Sequence, residues 1–326
     1  MKVSVCIPTY NQALYLEKAI RSAYEQTKIP DEIIVSNDCS TDNTSEVLRK
    51  LCLEIPILKV VNQARNLGMN RNTDGCLRMA LNELIVKLDS DDYLAPSYIQ
   101  KLFDQLVKYP EAGYAHASVY EINDFDEVVK VRKLYRRPGF QSSLEALKAS
   151  LKGYQVAANI IMFKREALNK VGYISSKTNF AEDYYLSASL AKAGFGNVYI
   201  NEVLSYYRVW IDSGQVRQKR KLDEIVGIRK VFEEVIEPAY TAERWDLQPV
   251  IRSKESFACT QGDCLSWDVY TFKEKEELKV ELKKLSSTPK ALFVASMYSG
   301  VFGKSFSALI KLRNALKNAA KIIITS

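Results

Sequence analysis

The stretch "NELIVKLDSDDYLAP", residues 82–96, drives an apolar run from Leu84 to Leu88 straight into Asp89, Asp91 and Asp92. One of these aspartates could cap a helix beginning near Pro96, with its neighbours favouring the positive helix end. Three acids at one strand tip ask for more, because their mutual repulsion has to be offset by a cation. Two carboxylates spaced by one residue suit a hard divalent ion, which takes its other ligands from water and from substrate phosphates. A metal-held diphosphate at the end of a buried strand is the hypothesis this segment raises.

The surrounding chain supplies a fold for that strand. Short β-branched runs recur at the spacing of a βαβ protein: "VSVCIP" (3–8), "EIIVS" (32–36), "ILKVV" (57–61) and "LIVKL" (84–88). A helix-period segment follows each, for example Leu16, Ala19, Ile20, Ala23 and Tyr24 after the first. Strands apolar on both faces with helical crossovers predict an α/β fold, a mostly parallel sheet flanked by helices. Beyond residue 110 the pattern loosens into a meander over 113–135, a strand at "NIIMF", a helix at "EDYYLSASLAKAG" closed by Gly194, and a strand pair in "NVYINEVLSYYRV". From about Gln218 the pattern is mainly helical. We therefore expect a first domain over 1–212 and a helical C-terminal region over 213–326.

Composition excludes several functions. Of the 326 residues 47% are apolar, enough for a packed core and against global disorder. The six cysteines show no C-x-x-C pair and several sit in apolar runs, so they read as reduced core thiols of a cytoplasmic protein. With His116 as the sole histidine, cysteine–histidine chemistry lacks a base. No signal peptide and no continuous apolar run of membrane-spanning length is evident, which predicts a soluble or peripheral protein. Neither G-x-x-x-x-G-K-[ST] nor G-x-G-x-x-G follows the first strand, so P-loop and nicotinamide readings lose their main support. Nucleic-acid binding has only a basic tail behind it. A phosphate must be held another way, and a metal with Arg71 is the candidate.

In an open α/β sheet ligands collect at the carboxyl ends of the strands. Here those ends carry "PTYN", "NDCSTD", "NQARNLGMNRN" and "DSDD". Together "VSVCIPTYNQALYLEKAIRSAYEQT", "DEIIVSNDCSTDNT", "NLGMNRN", "LDSDD" and "AEDYYLSASLAKAGF", in that order, resemble a family-2 glycosyltransferase of the GT-A (Rossmann-like) fold over roughly residues 1–212. The resemblance implies an inverting, nucleotide-sugar-dependent enzyme of surface polysaccharide assembly. Its donor would be a nucleoside-diphosphate sugar, a UDP-sugar first, and its acceptor a glycan or lipid-linked hydroxyl. It assigns Pro8, Thr9, Tyr10, Asn37, Asp38, Asn66, Gly68, Arg71, Asp89 and Ser90 to the nucleotide, with Thr9 and Asp38 framing the base. It assigns Asp91 and Asp89 to Mn2+ or Mg2+, Asp91 as the direct ligand and Asp89 nearer the ribose. Asp183 would be the general base, with Glu182 beside it.

Two positions depart from the family pattern. Asn37 stands where many relatives carry an aspartate, and Trp210 stands where "YYR" often continues to a metal-completing histidine. Indole cannot ligate a metal. Water or Asp212 would substitute, metal affinity would be lower, or Trp210 would stack on a sugar or simply fill the core. A catalytically silent nucleotide-sugar or glycan-binding module on the same fold is the alternative reading.

In the second region Arg217, Lys219, Arg220 and Lys221 form a basic cluster, either a solvated helix face or a lid over the diphosphate, with Arg208 and Trp210 as further acceptor or lid residues. After Glu281 the chain carries Lys and Arg but no acid. The segment from Pro289 onward, too interrupted to cross a bilayer, suits an interfacial helix against an anionic membrane at the inner face of the cell, or a helix pair packed on the body or in a homo-oligomer.

Overall fold

Four strands pair in parallel in the order β3-β2-β1-β4: β1 (Val3–Thr9), β2 (Glu32–Asn37), β3 (Leu58–Asn62) and β4 (Leu84–Lys87). Between them run α1 (Ala13–Tyr24), α2 (Thr44–Glu54) and α3 (Met69–Met79). In the computed structural model, which describes residues 1–174, 178–210, 218–300, 302–310 and 312–313, this half-sheet extends into a mixed ten-stranded sheet. Past β4 it continues through β9 (Ile161–Lys164), β6 (Ala112–Ile122), β10 (Gly196–Arg208) and β5 (Tyr93–Leu94). There β9 is antiparallel to both neighbours, while β10 returns parallel to β6. The edge strands β7 (Val128–Arg132) and β8 (Gly139–Gln141) pair antiparallel with β6 and β10. The expected α/β architecture is present, with parallel pairing concentrated in the first four strands.

The alternation of side chains across each strand builds two cores. Val3, Val5, Ile7, Leu84 and Val86 face the helices α1, α2 and α4 (Tyr98–Lys108), which contribute Leu16, Ile20, Leu51, Ile99 and Leu102. Cys6, Ile34 and Ile85 face the other way, onto Cys76 and Leu77 of α3, Leu168 of α6 (Arg165–Val171), and Leu186 and Leu190 of α7 (Glu182–Lys192). All six cysteines are unpaired.

One element differs from its sequence reading. "NVYINEVLSYYRV" forms the single strand β10, 13 residues long, rather than a strand pair. Register shifts between Ile200 and Val203 and between Val203 and Ser205 absorb the polar "NE" step as irregular pairing. This bulged strand carries Tyr207 and Arg208 back to the carboxyl end of β4.

The chain divides into two compact units, Met1–Ile211 and Asp212–Ser326. Within the second, helices Lys221–Lys230, Gln248–Gln261, Phe272–Leu285 and Pro289–Ser299 enclose Ile225, Phe232, Leu278 and Leu282. A π-helical turn at Val231–Ile236 lengthens the first of them. Among the described residues no helix is long and apolar enough to cross a membrane. Asp212 and Arg217, singled out from the sequence, and Lys311, Lys317 and Lys321 of the basic segment after Pro289 lie outside the described residues.

Candidate active site

The carboxyl ends of β1, β2 and β4, the loop after β3 and the end of β10 surround a cavity of about 570 Å3. Pro8, Thr9, Tyr10, Asp38, Asn66, Gly68, Asp89, Ser90, Asp91, Arg208 and Trp210 line it, together with Asp92. Gln12, Met69, Asn72 and Tyr207, which lie within the quoted motifs without an assigned role, also line it, as does Thr73 just beyond them.

The loop between β3 and α3 is held open by Asp38. Its carboxylate accepts the backbone N–H of Leu67 at 2.7 Å and of Gly68 at 2.9 Å, so both oxygens already hold the wall of the cavity. Asp38 also lines the cavity, and each of its oxygens has a second lone pair beyond the one the loop uses. The Thr9 hydroxyl, buried and without a partner, is the open polar group on that side. Gly68 has φ +83° and ψ 155°, a region that only glycine enters cheaply. Gly68→Ala is expected to destabilise the fold by about 1–3 kcal/mol, read by urea denaturation, although no atom lies within 4 Å of the added Cβ.

Two residues assigned to the nucleotide are not brought to the cavity. Asn37 is buried and bonds Asn62 at 2.9 Å and the Ser40 backbone N–H at 3.2 Å, tying β2 to β3 and closing its own turn. Arg71 is exposed on α3 and is not among the lining residues, because the helix turns Asn72 and Thr73 inward instead. Asn72 is in turn anchored to Ser36, accepting from its hydroxyl at 2.6 Å.

At the tip of β4 the three aspartates have different partners. Asp89 receives the Lys87 ammonium on both oxygens, at 2.8 and 3.1 Å. Asp92 accepts the Arg208 backbone N–H at 2.7 Å, while its other oxygen is buried without a partner. Asp91 accepts the indole N–H of Trp210 at 2.8 Å. Burial and the neighbouring carboxylates push the Asp91 and Asp92 carboxyls above the usual range. Asp89, expected to share a cation with Asp91, pairs with Lys87 while still lining the cavity; among the described residues neither Asp91 nor Asp92 has an ion pair.

Arg208 and Trp210, expected as acceptor or lid residues, line the cavity and support Asp91. The Arg208 guanidinium is buried, donating to the Asp91 carbonyl at 3.0 Å and the Asn123 carbonyl at 2.5 Å, and pairing with Asp126. It lies over the Tyr15 ring at 4.1 Å. Tyr15 meets Trp210 edge-on, with centroids 5.4 Å apart. The indole is therefore packed on one side and hydrogen-bonded to the carboxylate on the other.

Lys87 was legible only as a charge in an apolar strand. Alternation places it on the same face as Ile85, the face covered by α7. It is 4% exposed, and its third contact is the Asn159 carbonyl at 3.3 Å. Burial opposes its charge, but Asp89 and Asp183 outweigh it and hold the ammonium protonated. Asp183, in the first turn of α7, belongs to the same electrostatic cluster. Burial pushes its carboxyl up to about 6, with Lys87 opposing and Asp89 and Glu182 adding to the rise. Asp183 is not spent on capping, since α7 has no side-chain cap and begins after Ala181 at φ +71°. Glu182 accepts from Asn70 at 2.5 Å, tying α7 to α3. Neither acid lines the 570 Å3 cavity itself; Asp183 adjoins it through Lys87 and Asp89.

Lys221, expected on a lid, is buried in the second unit, bonding Glu224 and Gln261 at 2.8 Å each. Arg220 lies 3.7 Å from Asp223. A buried ammonium with two polar partners is a structural cation, so Lys221 is not a free charge of a lid.

The strand ends of a parallel half-sheet thus surround a cavity floored by acids. The profile of glycosyl transferase family 2 matches residues 4–172, just over half of the sequence. The chain belongs to glycosyl transferase family 2. Among curated family relatives, chondroitin synthase of Pasteurella multocida (strain Pm70) is 29% identical over 192 residues, covering 59% of this chain and 19% of that protein. The GalNAc(5)-diNAcBac-PP-undecaprenol beta-1,3-glucosyltransferase of Campylobacter jejuni is 37% identical over 116 residues, 35% of this chain and 36% of that protein. The chain thus spans about a fifth of the first of these relatives and about a third of the second. Among solved structures, S. aureus TarS 1–349 superposes with TM-score 0.64 at 17% identity, over 91% of this chain and 84% of that one. The mannosyltransferase PcManGT of Pyrobaculum calidifontis, in complex with GDP-Man and Mn2+, superposes with TM-score 0.56 at 19% identity, over 98% and 86%. At these identities the structural likeness establishes the family's GT-A fold.

The residues present fit a divalent cation. Among the described residues no three His, Cys, Asp or Glu side chains form a ready-made metal cage. The uncompensated Asp91 and the orphaned Asp92 oxygen nevertheless leave excess negative charge at an open cavity. That donor set suits a hard ion completed by water and phosphate oxygens.

Proposed function

We propose that the chain is an inverting glycosyltransferase that moves a sugar from a nucleoside-diphosphate sugar to a hydroxyl of a glycan or lipid-linked acceptor by single displacement, with Asp183 as general base. The observation that carries this reading is the placement of Asp183, its carboxyl raised to about 6, beside the Lys87–Asp89 pair at the edge of the cavity that Asp91 lines. A base with a pKa near the working pH accepts a hydroxyl proton efficiently.

The nucleoside end of the donor lies in the cavity under Thr9, Tyr10 and the loop held by Asp38. Asp91, with Asp92 behind it, would hold Mn2+ or Mg2+. The ion there would supply charge compensation for the leaving diphosphate. Trp210 and Arg208 fix the carboxylate and backbone of Asp91, so its free oxygen stays aimed at the cavity. Lys87 keeps Asp89 in place and favours the ionised form of Asp183. Asp183 then takes the proton of the acceptor hydroxyl as that oxygen attacks the anomeric carbon. UDP-sugars are the first donors to test, since TarS 1–349 has been solved with UDP and with UDP-GlcNAc. A role in surface polysaccharide assembly is consistent with chondroitin synthase among the relatives.

A second reading, a silent sugar-nucleotide-binding module, draws on the Trp210–Asp91 hydrogen bond, which puts an N–H where a ligand would help hold an ion. The two separate on metal-dependent release of nucleoside diphosphate from a panel of nucleotide sugars. The enzyme reading expects release with Mn2+ or Mg2+, falling about 100-fold or more in Asp91→Ala. Binding without any release across the panel, acceptors included, would favour the module.

A further inference from the structure

Among the described residues two tyrosine hydroxyls are buried without a hydrogen-bond partner, those of Tyr98 and Tyr154. Buried hydroxyls are normally paired, so each calls for a reason. Tyr98 lies in the core on the α1 and α4 side of the sheet, and burial alone raises its pKa. Tyr154 has charged company. Burial and then the Asp183 carboxylate push its hydroxyl well above the usual range, and Asp89 adds to the rise. The phenol therefore stays protonated, a donor beside two acids that bonds neither.

The chain on either side of Tyr154 is tied to the same cluster. Tyr154 follows α5 (Ser143–Ser150), and the hydroxyl of Tyr184, next to Asp183 in α7, donates to the Ser150 carbonyl at 2.5 Å. Beyond Tyr154, Arg132 donates to the Ala157 carbonyl at 3.1 Å and the Lys87 ammonium to the Asn159 carbonyl at 3.3 Å. The segment is thus anchored at one end to the helix that carries Asp183 and at the other to the lysine that pairs with Asp89. The Tyr154 ring packs on the core that includes Leu186, which lies three residues after Asp183 on the same side of α7. Tyr207, which also acts on the Tyr154 hydroxyl, lines the cavity.

The geometry points to Tyr154 as a second contact for the attacking oxygen of the acceptor. Its O–H donates to one lone pair of that oxygen while the other lone pair attacks the anomeric carbon. The acceptor proton passes to Asp183 as the bond to the leaving diphosphate breaks, and Tyr154 keeps its own proton throughout. The inference rests on the transferase reading and deepens it, adding an orienting donor to the Asp183 base.

The test is release of nucleoside diphosphate by the full chain with Mn2+ from UDP-glucose, UDP-GlcNAc and GDP-mannose, with water or methyl glycosides as acceptor. Tyr154→Phe keeps the ring and is expected to lower turnover about tenfold, the worth of one hydrogen bond, while UDP affinity by calorimetry changes less than about twofold and thermal melting is unchanged. Tyr98→Phe, which removes the other unpaired hydroxyl, should turn over like wild type. A ring that only packs is replaced by phenylalanine without loss, so wild-type turnover in Tyr154→Phe overturns the inference. A loss of turnover matched by an equal loss of UDP affinity, or accompanied by a lowered melting point, overturns it too. A wild type that releases nothing from any donor with any acceptor sinks the transferase reading and this inference with it, an outcome distinct from an active wild type indifferent to Tyr154.

Discussion

Asp183→Asn is expected to lower the turnover number by about 10^3-fold, while nucleotide-sugar affinity changes less than about twofold. The asparagine keeps the size of the side chain at the start of α7, so Glu182 remains tied to Asn70 and the cavity wall stays in place. What disappears is the proton acceptor. The same residue fixes the acid limb of the rate profile. With its carboxyl pushed up to about 6, the base is ionised above that pH and progressively protonated below it. Turnover should therefore fall about tenfold per pH unit below 6 in the wild type. That limb should be absent from the residual activity of Asp183→Asn. Steady-state kinetics over pH 4.5–8, with nucleotide affinity followed by calorimetry, checks both outcomes.

Lys87→Met is the second large effect, and it acts on stability and catalysis together. Breaking a buried ion pair from one side leaves the remaining charge unpaired, at about 3–5 kcal/mol when both partners are fully buried. Asp89 keeps 32% of its side chain in contact with solvent, so the expected loss is nearer about 2–3 kcal/mol, read by urea denaturation. The catalytic signature is a shift of the acid limb. Lys87 opposes the rise in the Asp183 pKa, so its removal should move the limb to higher pH. The double variant Lys87→Met, Asp89→Asn should recover part of the stability, because Asp89 no longer stands unpaired, while Asp183 still loses its cation. A structural lysine without electrostatic function would give the stability loss with an unmoved acid limb.

The sequence announced the fold through the simplest signals it had. β1, β2 and β4 are buried on both faces, β3 is a half-exposed edge strand, and each observed strand lies within one residue of its predicted run or extends beyond it. Alternation and β-branching were enough there because a strand buried on both sides leaves no ambiguity of face. β10 misled because its middle carries Asn201 and Glu202, which read as a turn, while bulged pairing with β6 accommodates them without a break.

The site was legible in its acids and less so in its partners. Asp89, Asp91 and Asp92 were visible as charge at a strand tip. Which of them is neutralised depends on Lys87, Arg208 and Trp210, residues separated from them by up to 119 positions or lying in the strand itself. Arg71 looked like a phosphate ligand because no glycine-rich phosphate loop is present and it lies in "NLGMNRN", yet one step along a helix separates it by about 100° from the inward-facing Asn72. Asn37 is a similar case, since the turn it stabilises consumes the polarity that suggested a ligand.

The central claim is that Asp91 and Asp183 serve one transfer reaction from two sides of a bound donor sugar. A crystal structure with an intact nucleoside-diphosphate sugar and Mn2+ tests it most directly. The diphosphate is expected against Asp91 in the cavity and the anomeric carbon turned towards Asp183, with the carboxylate on the face opposite the leaving oxygen. A donor seated away from Asp91, or with its leaving diphosphate on the Asp183 side of the sugar, would contradict it.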